Sequence, residues 1–336
     1  MALFAASDQA ATQPEPFPPP HVHSSRVRRL SIRAADGRVE VRPVIQSQSG
    51  AFYEVGTLLK RAIFGQVVRA LVVLPDDNEA NVWVRTDEHR AIKIYSKSKL
   101  RQQAGRTVEN PVVEITALQF IGDAHPNIMG QIECCTDEDN IYSVMQYCPG
   151  GELFDLIDTD GALDNEQAKT MLRQLLSGLE RLHGLGIAHK DMSLENVLYD
   201  SAADRYTIID FGMCVHQKSS PKGGFCPVFK QSICGKRNYM APEVLREDAV
   251  FQPTLCDVWA TGVILFIALT GVPPVDVATQ ADERFRMLCD NRLGEMLTSW
   301  NFRLDPLVVD LMQRILRQEP AERLTLQQIK DHPWLS

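Results

Sequence analysis

Two acidic residues and an asparagine are the side chains of this sequence best suited to chemistry. Asp191 and Asn196 lie in HKDMSLENVL (189–198), and Asp210 follows in DFG (210–212). A carboxylate can accept the proton of an attacking hydroxyl, and carboxylate and amide oxygens are ligands that Mg²⁺ prefers. Phosphoryl transfer needs held phosphates, bridging metal ions and a base aimed at the hydroxyl, so these residues favour that reaction.

A lysine and a glutamate upstream supply a cation and its partner. Lys93 ends the run Ala91-Ile92-Lys93, whose pattern predicts a strand, so its ammonium group can neutralise phosphate charge. Glu114 lies in a predicted helix that begins with Asn110-Pro111, a sound N-cap and N1 pair. We expect Glu114 to pair with Lys93 and hold it. A surface lysine at the end of a strand is the alternative for Lys93.

The order of these motifs resembles that of a eukaryotic-type protein kinase catalytic domain. The HxD and DFG motifs precede Ala241-Pro242-Glu243, and together they make coincidence very improbable. The resemblance covers residues 53–336 and implies an α+β, bilobal fold. It implies a β-rich N-lobe with one helix (53–147), a larger helical C-lobe (150–336) and a hinge near 146–151. It also implies Mg-ATP-dependent transfer of the γ-phosphoryl group to serine or threonine of protein substrates.

The resemblance further assigns roles to single residues. It makes Asp191 the residue that accepts or orients the substrate hydroxyl, and it makes Asn196 and Asp210 the ligands of Mg²⁺. It pairs Arg323 with Glu243 of the Ala-Pro-Glu motif. The residues implied to surround ATP, including those that sandwich the adenine ring and guard the back of its pocket, are Gly65, Val67, Ala91, Lys93, Glu114, Met145, Gln146, Cys148, Glu152, Leu198 and Asp210.

Shorter stretches indicate a subgroup. IKIYSKSKL (92–100) and CPGGELFD (148–155) resemble the calcium/calmodulin-dependent class of Ser/Thr kinases, whereas SLENVL (193–198) resembles divergent protist, oomycete-type kinases. Glu152 and Glu195 match acidic positions that favour arginine upstream of the target serine in related kinases. We therefore expect protein substrates with basic motifs.

The loop expected to cover the phosphates departs from the family pattern. Phe64-Gly65-Gln66-Val67 aligns with its last glycine, which puts Lys60 and Ala62 at the positions of the first two. Glycine at those positions lets backbone N–H groups approach phosphates closely. We expect a looser phosphate clamp, for which the charge of Lys60 or Arg61 compensates in part.

Ser193 is a second departure, because Ser/Thr kinases carry a lysine at this position. The place of the family threonine that this lysine touches holds Lys236. The two positions face each other across Asp191 in the family fold, so we expect an exchange in which Lys236 supplies the cation and Ser193 the hydroxyl. The alternative is two unrelated losses in a decaying site. That alternative makes the chain a pseudokinase, an ATP-binding scaffold or allosteric regulator.

A third departure concerns activation. Lys190 replaces the arginine that commonly receives a phosphate in this family, and lysine keeps the charge but loses the bidentate fork. Ser232 lies where a family phosphosite often falls. A regulatory phosphosite and a plain loop serine are both compatible with this position.

The chain before the resemblance has two parts. Residues 1–25 are rich in Pro, Ala and Ser, which predicts a disordered tail, with a PxxP-type ligand for a partner domain as the alternative. Residues 26–50 are basic, and their apolar residues alternate on either side of Asp36-Gly37, which predicts a hairpin-like extension. A hairpin alone is marginal. We therefore expect it to brace the small lobe or to recruit a partner.

Composition narrows the function classes. The chain has 336 residues, of which 44% are hydrophobic and 23% charged, as in ordinary globular proteins. A net charge of −8 argues against a general nucleic-acid binder. The apolar run Val258–Leu269 is shorter than the roughly 20 residues of a membrane span and predicts a buried helix. Eight scattered cysteines without CxxC spacing indicate reduced thiols. We expect a cytoplasmic protein without membrane contact, with a nuclear location left open.

Overall fold

The chain divides into two units, with the main boundary between residues 149 and 150. The structure is a computed structural model that describes residues 11–221, 223–229, 233–246 and 250–336. The N-terminal unit comprises residues 18–124 and 129–149, and the C-terminal unit comprises residues 125–128 and 150–336 together with the described residues up to 17. A strand-rich first unit and a helix-rich second unit agree with the predicted α+β, bilobal kinase architecture.

The N-terminal unit is built on a β-barrel. Its strands are β1 (His23–Arg33), β2 (Val39–Ser47), β3 (Phe52–Ala62), β4 (Gly65–Pro75), β5 (Val82–Ser96), β6 (Gln131–Thr136) and β7 (Asn140–Gln146). The strands pair in the order β1-β2-β3-β4-β5-β7-β6, and β1 also pairs in parallel with β5 and β6, which closes the barrel. The hairpin expected around Asp36-Gly37 is present as β1 and β2.

The hairpin packs on the rest of its own unit. Leu30, Ile32 and Val44 are buried in one apolar cluster with Val73 of β4. Arg33 forms an ion pair of 3.0 Å with Asp76, in the connection between β4 and β5. These contacts make the hairpin an integral part of the barrel, which favours a bracing role over a free appendage.

Two helices accompany the barrel, α1 (Lys97–Gln103) and α2 (Pro111–Ile121), so the expectation of one helix in this unit was wrong. The side chain of Asn110 accepts hydrogen bonds from the N–H groups of Val112 and Val113, and Pro111 occupies the first turn. The predicted start of this helix is therefore confirmed. Because the helix begins at Pro111, Glu114 lies in its first turn, where the helix dipole favours a carboxylate.

The C-terminal unit is mainly helical. Its helices are α3 (Leu153–Asp160), α4 (Asn165–Gly184), α5 (Pro242–Leu245), α6 (Pro253–Thr270), α7 (Glu283–Cys289), α8 (Leu293–Ser299), α9 (Pro306–Ile315) and α10 (Leu326–Lys330), with short 3₁₀ turns at Leu194–Asn196, Pro320–Glu322 and Pro333–Leu335. Asp164 caps α4 through a capping box with Gln167.

Short strand pairs complete this unit. They are β8 (Ile187–Ala188) with β11 (Val215–His216), β9 (Val197–Asp200) with β10 (Arg205–Ile208), and β12 (Val228–Phe229) with β13 (Val250–Phe251). The first two pairs border the loop that carries Asp191 and the loop that carries Asp210. These loops are therefore fixed at both ends by hydrogen-bonded strands.

Helix α6 is the core of the C-terminal unit. Its length and composition would allow it to cross a membrane, but 89% of its residues are buried inside the protein. The buried helix expected around Val258–Leu269 is thus present, and it extends further in both directions. Among the described residues, this helix has one buried carboxylate, that of Asp257. It contacts the loop that carries Asp191.

The predicted disorder of the N-terminal residues is not what the structure shows for residues 12–25. Composition predicted a disordered tail over residues 1–25, of which residues 1–10 lie outside the described residues. In the described part, Thr12 and Glu15 hydrogen-bond to the C-terminal unit and β1 already begins at His23, so the prediction was wrong there. The contacts of residues 11–17 use backbone groups and one aromatic ring. Amino-acid composition does not report on contacts of this kind, so it did not predict them.

Candidate active site

Lys93 and Glu114 form a buried ion pair in the N-terminal unit. The ammonium nitrogen lies 2.8 and 2.7 Å from the two carboxylate oxygens, and the two residues are only 6% and 3% exposed. Lys93 extends from β5 and Glu114 from the first turn of α2. The expected pair is thus formed, and the alternative of a surface lysine is excluded by its burial.

Two further residues hold this pair, and sequence reasoning missed both. The hydroxyl of Tyr95 donates to Glu114 Oε2 at 2.9 Å, and Glu109 Oε1 lies 3.8 Å from Lys93 Nζ. Tyr95 follows Lys93 by two positions on β5, so both side chains point to the same face of the sheet. That spacing was the available signal for Tyr95.

Strand register brings the expected nucleotide-facing residues of this unit to one side of the sheet. Val67 pairs directly with Lys93, and Ala91 pairs with Met145. Directly opposed residues of antiparallel strands share a face, and residues two apart on one strand do so as well. Val67, Ala91, Lys93 and Met145 therefore line the same face. Gln146 ends β7 and is exposed, and Cys148 follows it partly buried.

The segment expected to clamp phosphates is a β-hairpin, with a register irregularity between Leu58 and Lys60. Strand β3 continues through Lys60 to Ala62, which pairs with Gly65 across the turn. A Cβ atom on Gly65 would lie 1.8 Å from the carbonyl oxygen of Ile94, so the close approach of β5 alone demands glycine here. The turn residue Phe64 is buried in the apolar cluster around Ile115 of α2.

The loop that carries Asp191 is fixed to helix α6. The carboxylate of Asp257 accepts hydrogen bonds from the N–H groups of His189 and Lys190, each at 2.8 Å. His183 of α4 lies 2.9 Å from the same carboxylate. Lys190 has a positive φ of 67°, a backbone conformation that these two bonds help to maintain. A buried carboxylate thereby sets the backbone directly before Asp191.

Asp191 is largely buried and has polar partners in its own unit. Asn196 donates from its side-chain amide to the carbonyl oxygen of Asp191 at 2.7 Å and to its carboxylate at 2.8 Å. Burial raises the pKa of the Asp191 carboxyl, whereas the charge of Lys236 and the hydrogen bond from Asn196 act in the opposite direction. A raised carboxylate pKa strengthens the group as a general base near neutral pH.

Lys236 and Ser193 meet beside Asp191. Lys236 donates to the hydroxyl oxygen of Ser193 at 2.8 Å, and its ammonium nitrogen lies 3.9 Å from the Asp191 carboxylate and 3.9 Å from that of Glu195. Gly235 makes this approach feasible, because its φ is +93° and a Cβ atom there would lie 3.1 Å from the carbonyl oxygen of Lys190. The juxtaposition expected from the sequence is present.

The Asp210 loop adjoins the same region. Asp210 has a φ of 66°, and the side chain of the following Phe211 is fully buried, 5.0 Å from the His189 ring between centroids. The N–H of Ile209 donates to the carbonyl of Asn196 at 2.9 Å, which ties this loop to the loop of Asp191. Asn196 and Asp210 thus belong to hydrogen-bonded neighbouring segments.

The remaining predicted residues of the C-terminal unit lie beside β9. Glu152 pairs with Leu198 through an isolated bridge and occupies the N-cap position of α3. A Cβ atom on Gly150 would lie 1.8 Å from the carbonyl oxygen of Tyr199, so glycine is required for this approach. Ser232 lies outside the described residues.

The expected ion pair between the Ala-Pro-Glu motif and Arg323 is present. Arg323 contacts the two oxygens of Glu243 at 2.7 and 2.6 Å, and the two side chains are 0% and 4% exposed. Arg323 also donates to the carbonyl of Leu255, and its guanidinium lies 5.2 Å from the centre of the Trp259 ring. This pair anchors the end of the segment that carries Lys236.

Comparison with known proteins identifies the family of the chain. The protein kinase domain family matches residues 81–335. The chain belongs to the protein kinase family. Similar kinases include CBL-interacting protein kinase 3 of Oryza sativa subsp. japonica, 34% identical over 75% of this chain and 53% of the relative. Calcium-dependent protein kinase 8 of the same organism is 34% identical over 85% and 49%. Serine/threonine-protein kinase PKH3 of Eremothecium gossypii is 32% identical over 75% and 34%.

These relatives are longer than the chain. The chain spans about half the length of the first two of them and about a third of the last. A calcium-dependent kinase is among them, in agreement with the subgroup that the sequence resembles.

Proposed function

We propose that this chain is an active serine/threonine protein kinase that transfers the γ-phosphoryl group of Mg-ATP to protein substrates. The family fold and the names of the relatives support phosphotransfer to proteins. The identity of the phosphoryl donor, the metal and the catalytic residues is part of the proposal. The observation that carries it is the position of Lys236.

Lys236 supports the proposal of an active site because it places a positive charge beside Ser193, the position at which the family pattern has a lysine. Two unrelated losses would not be expected to bring a lysine from another loop into contact with Ser193 and within 3.9 Å of the Asp191 carboxylate. A cation held where charge develops in the transition state contributes to catalysis whichever segment delivers it. We infer that Lys236 and Ser193 exchange the roles that the family assigns to a lysine and a threonine.

Asp191 is proposed to orient the substrate hydroxyl and accept its proton. Its carboxylate is fixed by the amide of Asn196, and that amide nitrogen is already committed to Asp191. The amide oxygen of Asn196 is therefore the atom left for a cation, and Asp210 supplies carboxylate oxygens from the neighbouring segment. Both are hard oxygen ligands that suit Mg²⁺. Mg²⁺ would neutralise the charge of the transferring phosphates.

The N-terminal unit is proposed to bind the nucleotide through the face lined by Val67, Ala91, Lys93 and Met145. Lys93 would neutralise phosphate charge, and its ion pair with Glu114 fixes the direction of its ammonium group. Tyr95 fixes Glu114 in turn. On the C-terminal unit the proposed nucleotide contacts are Leu198 and Asp210.

Substrates with basic motifs are proposed from two acidic side chains. Glu195 lies 3.9 Å from Lys236, close to the proposed phosphoryl-transfer residues. Its carboxylate and that of Glu152 belong to the same unit as Asp191. An arginine side chain upstream of the target residue would complement these charges. We propose a cytoplasmic location for the reaction.

A second candidate function is that of a pseudokinase. It is favoured by the hairpin at residues 60–65, which carries Lys60 and Ala62 in place of glycines and buries Phe64. A stiff hairpin covers phosphates less closely than a glycine-rich loop. A chain of this kind would bind ATP weakly or act as a scaffold.

A radiolabelled ATP assay on a generic basic peptide separates the two candidates. The wild-type chain is compared with Asp191→Asn under Mg²⁺, and we expect incorporation by the wild type that falls by at least a hundredfold in the variant. Equal incorporation by the two proteins would assign the chain to the scaffold class. Binding of ATP, followed by calorimetry, shows whether the hairpin still admits the nucleotide.

A further inference from the structure

The N-terminal residues bind along the edges of two small sheets in the C-terminal unit. Thr12 lies beside β12, where its N–H donates to the carbonyl of Pro227 at 3.0 Å and its carbonyl accepts from the N–H of Phe229 at 3.2 Å. Glu15 lies beside β11, where its N–H donates to the carbonyl of His216 at 2.7 Å. Backbone pairing at a sheet edge is how proteins capture extended peptides.

Two side chains add to these backbone contacts. The ring of Phe17 stacks on His216, with centroids 5.2 Å apart and planes 16° apart. The hydroxyl oxygen of Thr12 is buried, and it has no hydrogen-bond partner among the residues that the structure describes. The segment is therefore packed against the unit at both contact points. The unpartnered hydroxyl also costs free energy, which a substitution can recover.

The two edges occupied by the segment are the two ends of one loop. Within the described residues of 217–227, the N–H of Cys226 donates to the carbonyl of Lys218 at 2.9 Å, and the side chain of Gln217 donates to the carbonyl of Cys226 at 2.8 Å. This loop belongs to residues 210–243, called the activation segment here. Glu15 thus binds next to the start of the loop and Thr12 next to its end, within one short peptide.

The chain that follows residue 17 is fixed within the N-terminal unit. The backbone N–H and carbonyl of His21 both bond to the side-chain amide of Gln119 on α2, each at 2.8 Å. Pro18-Pro19-Pro20 separate the two anchors. Proline rings fix φ, so this stretch loses little conformational entropy when it is bound.

The activation segment needs such support for a chemical reason. Lys190 stands where the family arginine receives a phosphate, and a lysine lacks the planar fork that binds phosphate through two parallel hydrogen bonds. A phosphate on the segment would therefore be held less firmly than in the family pattern. The backbone bonds of residues 12 and 15 provide a hold that does not depend on phosphorylation.

We propose that residues 11–17 are an intramolecular docking peptide that keeps the activation segment in its catalytic arrangement. The docking surface consists of the outer edges of β11 and β12 with the ring of His216, and its occupant is this extended, proline-containing segment of the same chain. The docking itself stands apart from the proposed function, whereas its effect on catalysis rests on that function.

Hydrogen exchange of the full chain tests the docking directly. Thr12→Pro removes the N–H that donates to Pro227, and Gln13→Pro is the matched control because Gln13 is exposed and follows it immediately. We expect Thr12→Pro to lower the protection of peptides from residues 215–229 at least tenfold, with Gln13→Pro close to wild type. Thr12→Val removes the buried hydroxyl at similar shape and should raise protection.

Addition in trans and activity complete the test. A synthetic peptide of residues 11–21 should restore protection to a chain that lacks residues 1–17. Equal protection in Thr12→Pro, Gln13→Pro and the wild type would overturn the docking proposal. If Thr12→Pro lowers protection but raises the phosphorylation rate, the segment is inhibitory and the activating role is wrong. A wild-type chain without kinase activity contradicts the proposed function alone, because the exchange readout needs no catalysis.

Discussion

The ammonium group of Lys236 donates a hydrogen bond of 2.8 Å to Ser193, 43 residues earlier in the chain. Both groups adjoin Asp191, and Gly235 gives the loop of Lys236 the close approach to Lys190 that this requires. The contact joins the two loops that flank the proposed reaction centre. The position of the positive charge beside Asp191 therefore depends on both Lys236 and Ser193.

We expect Lys236→Ala to lower kcat for peptide phosphorylation by about 10²- to 10³-fold, the effect of removing one preorganised electrostatic group. Lys218→Ala is the matched control, since Lys218 is an exposed lysine of the same segment. The pair Ser193→Lys with Lys236→Thr should recover much of the activity lost in Lys236→Thr alone. Steady-state kinetics measure all four proteins. Full activity of Lys236→Ala would exclude the exchange.

Tyr95→Phe is expected to lower kcat/KM for ATP by about tenfold, because a hydrogen bond to a charged group contributes about 1.5 kcal/mol. The lost bond leaves Glu114 less well oriented toward Lys93. Tyr142→Phe is the control, as this tyrosine of the same unit donates to Asp137 instead. The KM for ATP should rise more than the KM for peptide. An equal effect of the two substitutions contradicts a positioning role for Tyr95.

Asp191→Asn should stabilise the fold while it abolishes transfer. Burial raises the pKa of Asp191 in the folded chain above its unfolded value, so the folded state binds a proton more tightly. The ionised carboxylate therefore lowers stability at neutral pH, and this penalty disappears as the pH falls through the raised pKa. Thermal melts should show a higher Tm for the variant near neutral pH and a smaller difference in acid. A lower Tm at neutral pH contradicts the expectation.

Arg323→Met is expected to lower the free energy of unfolding by about 3–5 kcal/mol, because it leaves the buried carboxylate of Glu243 without its ion-pair partner. Arg246→Met provides the comparison, since its ion pair with Glu319 is partly exposed and such pairs contribute about 0–1 kcal/mol. Urea denaturation of the two variants measures the difference. Equal losses would show that the buried pair has no special role.

The hairpin of β1 and β2 is expected to stabilise the barrel through its buried face. Ile32→Ala should cost about 2–4 kcal/mol, because Ile32 is fully buried in the cluster with Val73. Val27→Ala on the same strand should stay within about 0.5 kcal/mol, since Val27 is 51% exposed. Denaturation followed by tryptophan fluorescence checks both values. If the two variants unfold alike, the hairpin does not brace the unit.

Local signals predicted the parts of this fold that local chemistry determines. Helix α2 begins where Asn110 caps it, because a capping side chain bonds to N–H groups two or three residues later. The ion pair of Glu243 with Arg323 was accessible only through the family resemblance. The contact of Lys236 with Ser193 followed from comparing two departures from one pattern.

The features that the sequence did not reveal depend on distant pairing. Closure of the barrel joins β1 in parallel to β5 and β6, and an alternating strand pattern does not specify its neighbours. Glu109 reaches Lys93 from outside the regular elements, so no periodicity marks it. Docking of residues 11–17 uses backbone groups, which every sequence has.

Closure of the barrel also has a consequence for the order in which the chain can fold. His23 and Ser24 of β1 pair with Cys135 and Thr136 of β6, so the last edge cannot be joined until the ribosome has made Thr136. Pairings between residues so far apart in sequence form slowly. During synthesis the β1 edge remains exposed to chaperones and to strands of other nascent chains, which makes it the point at which misassembly of this kinase would begin.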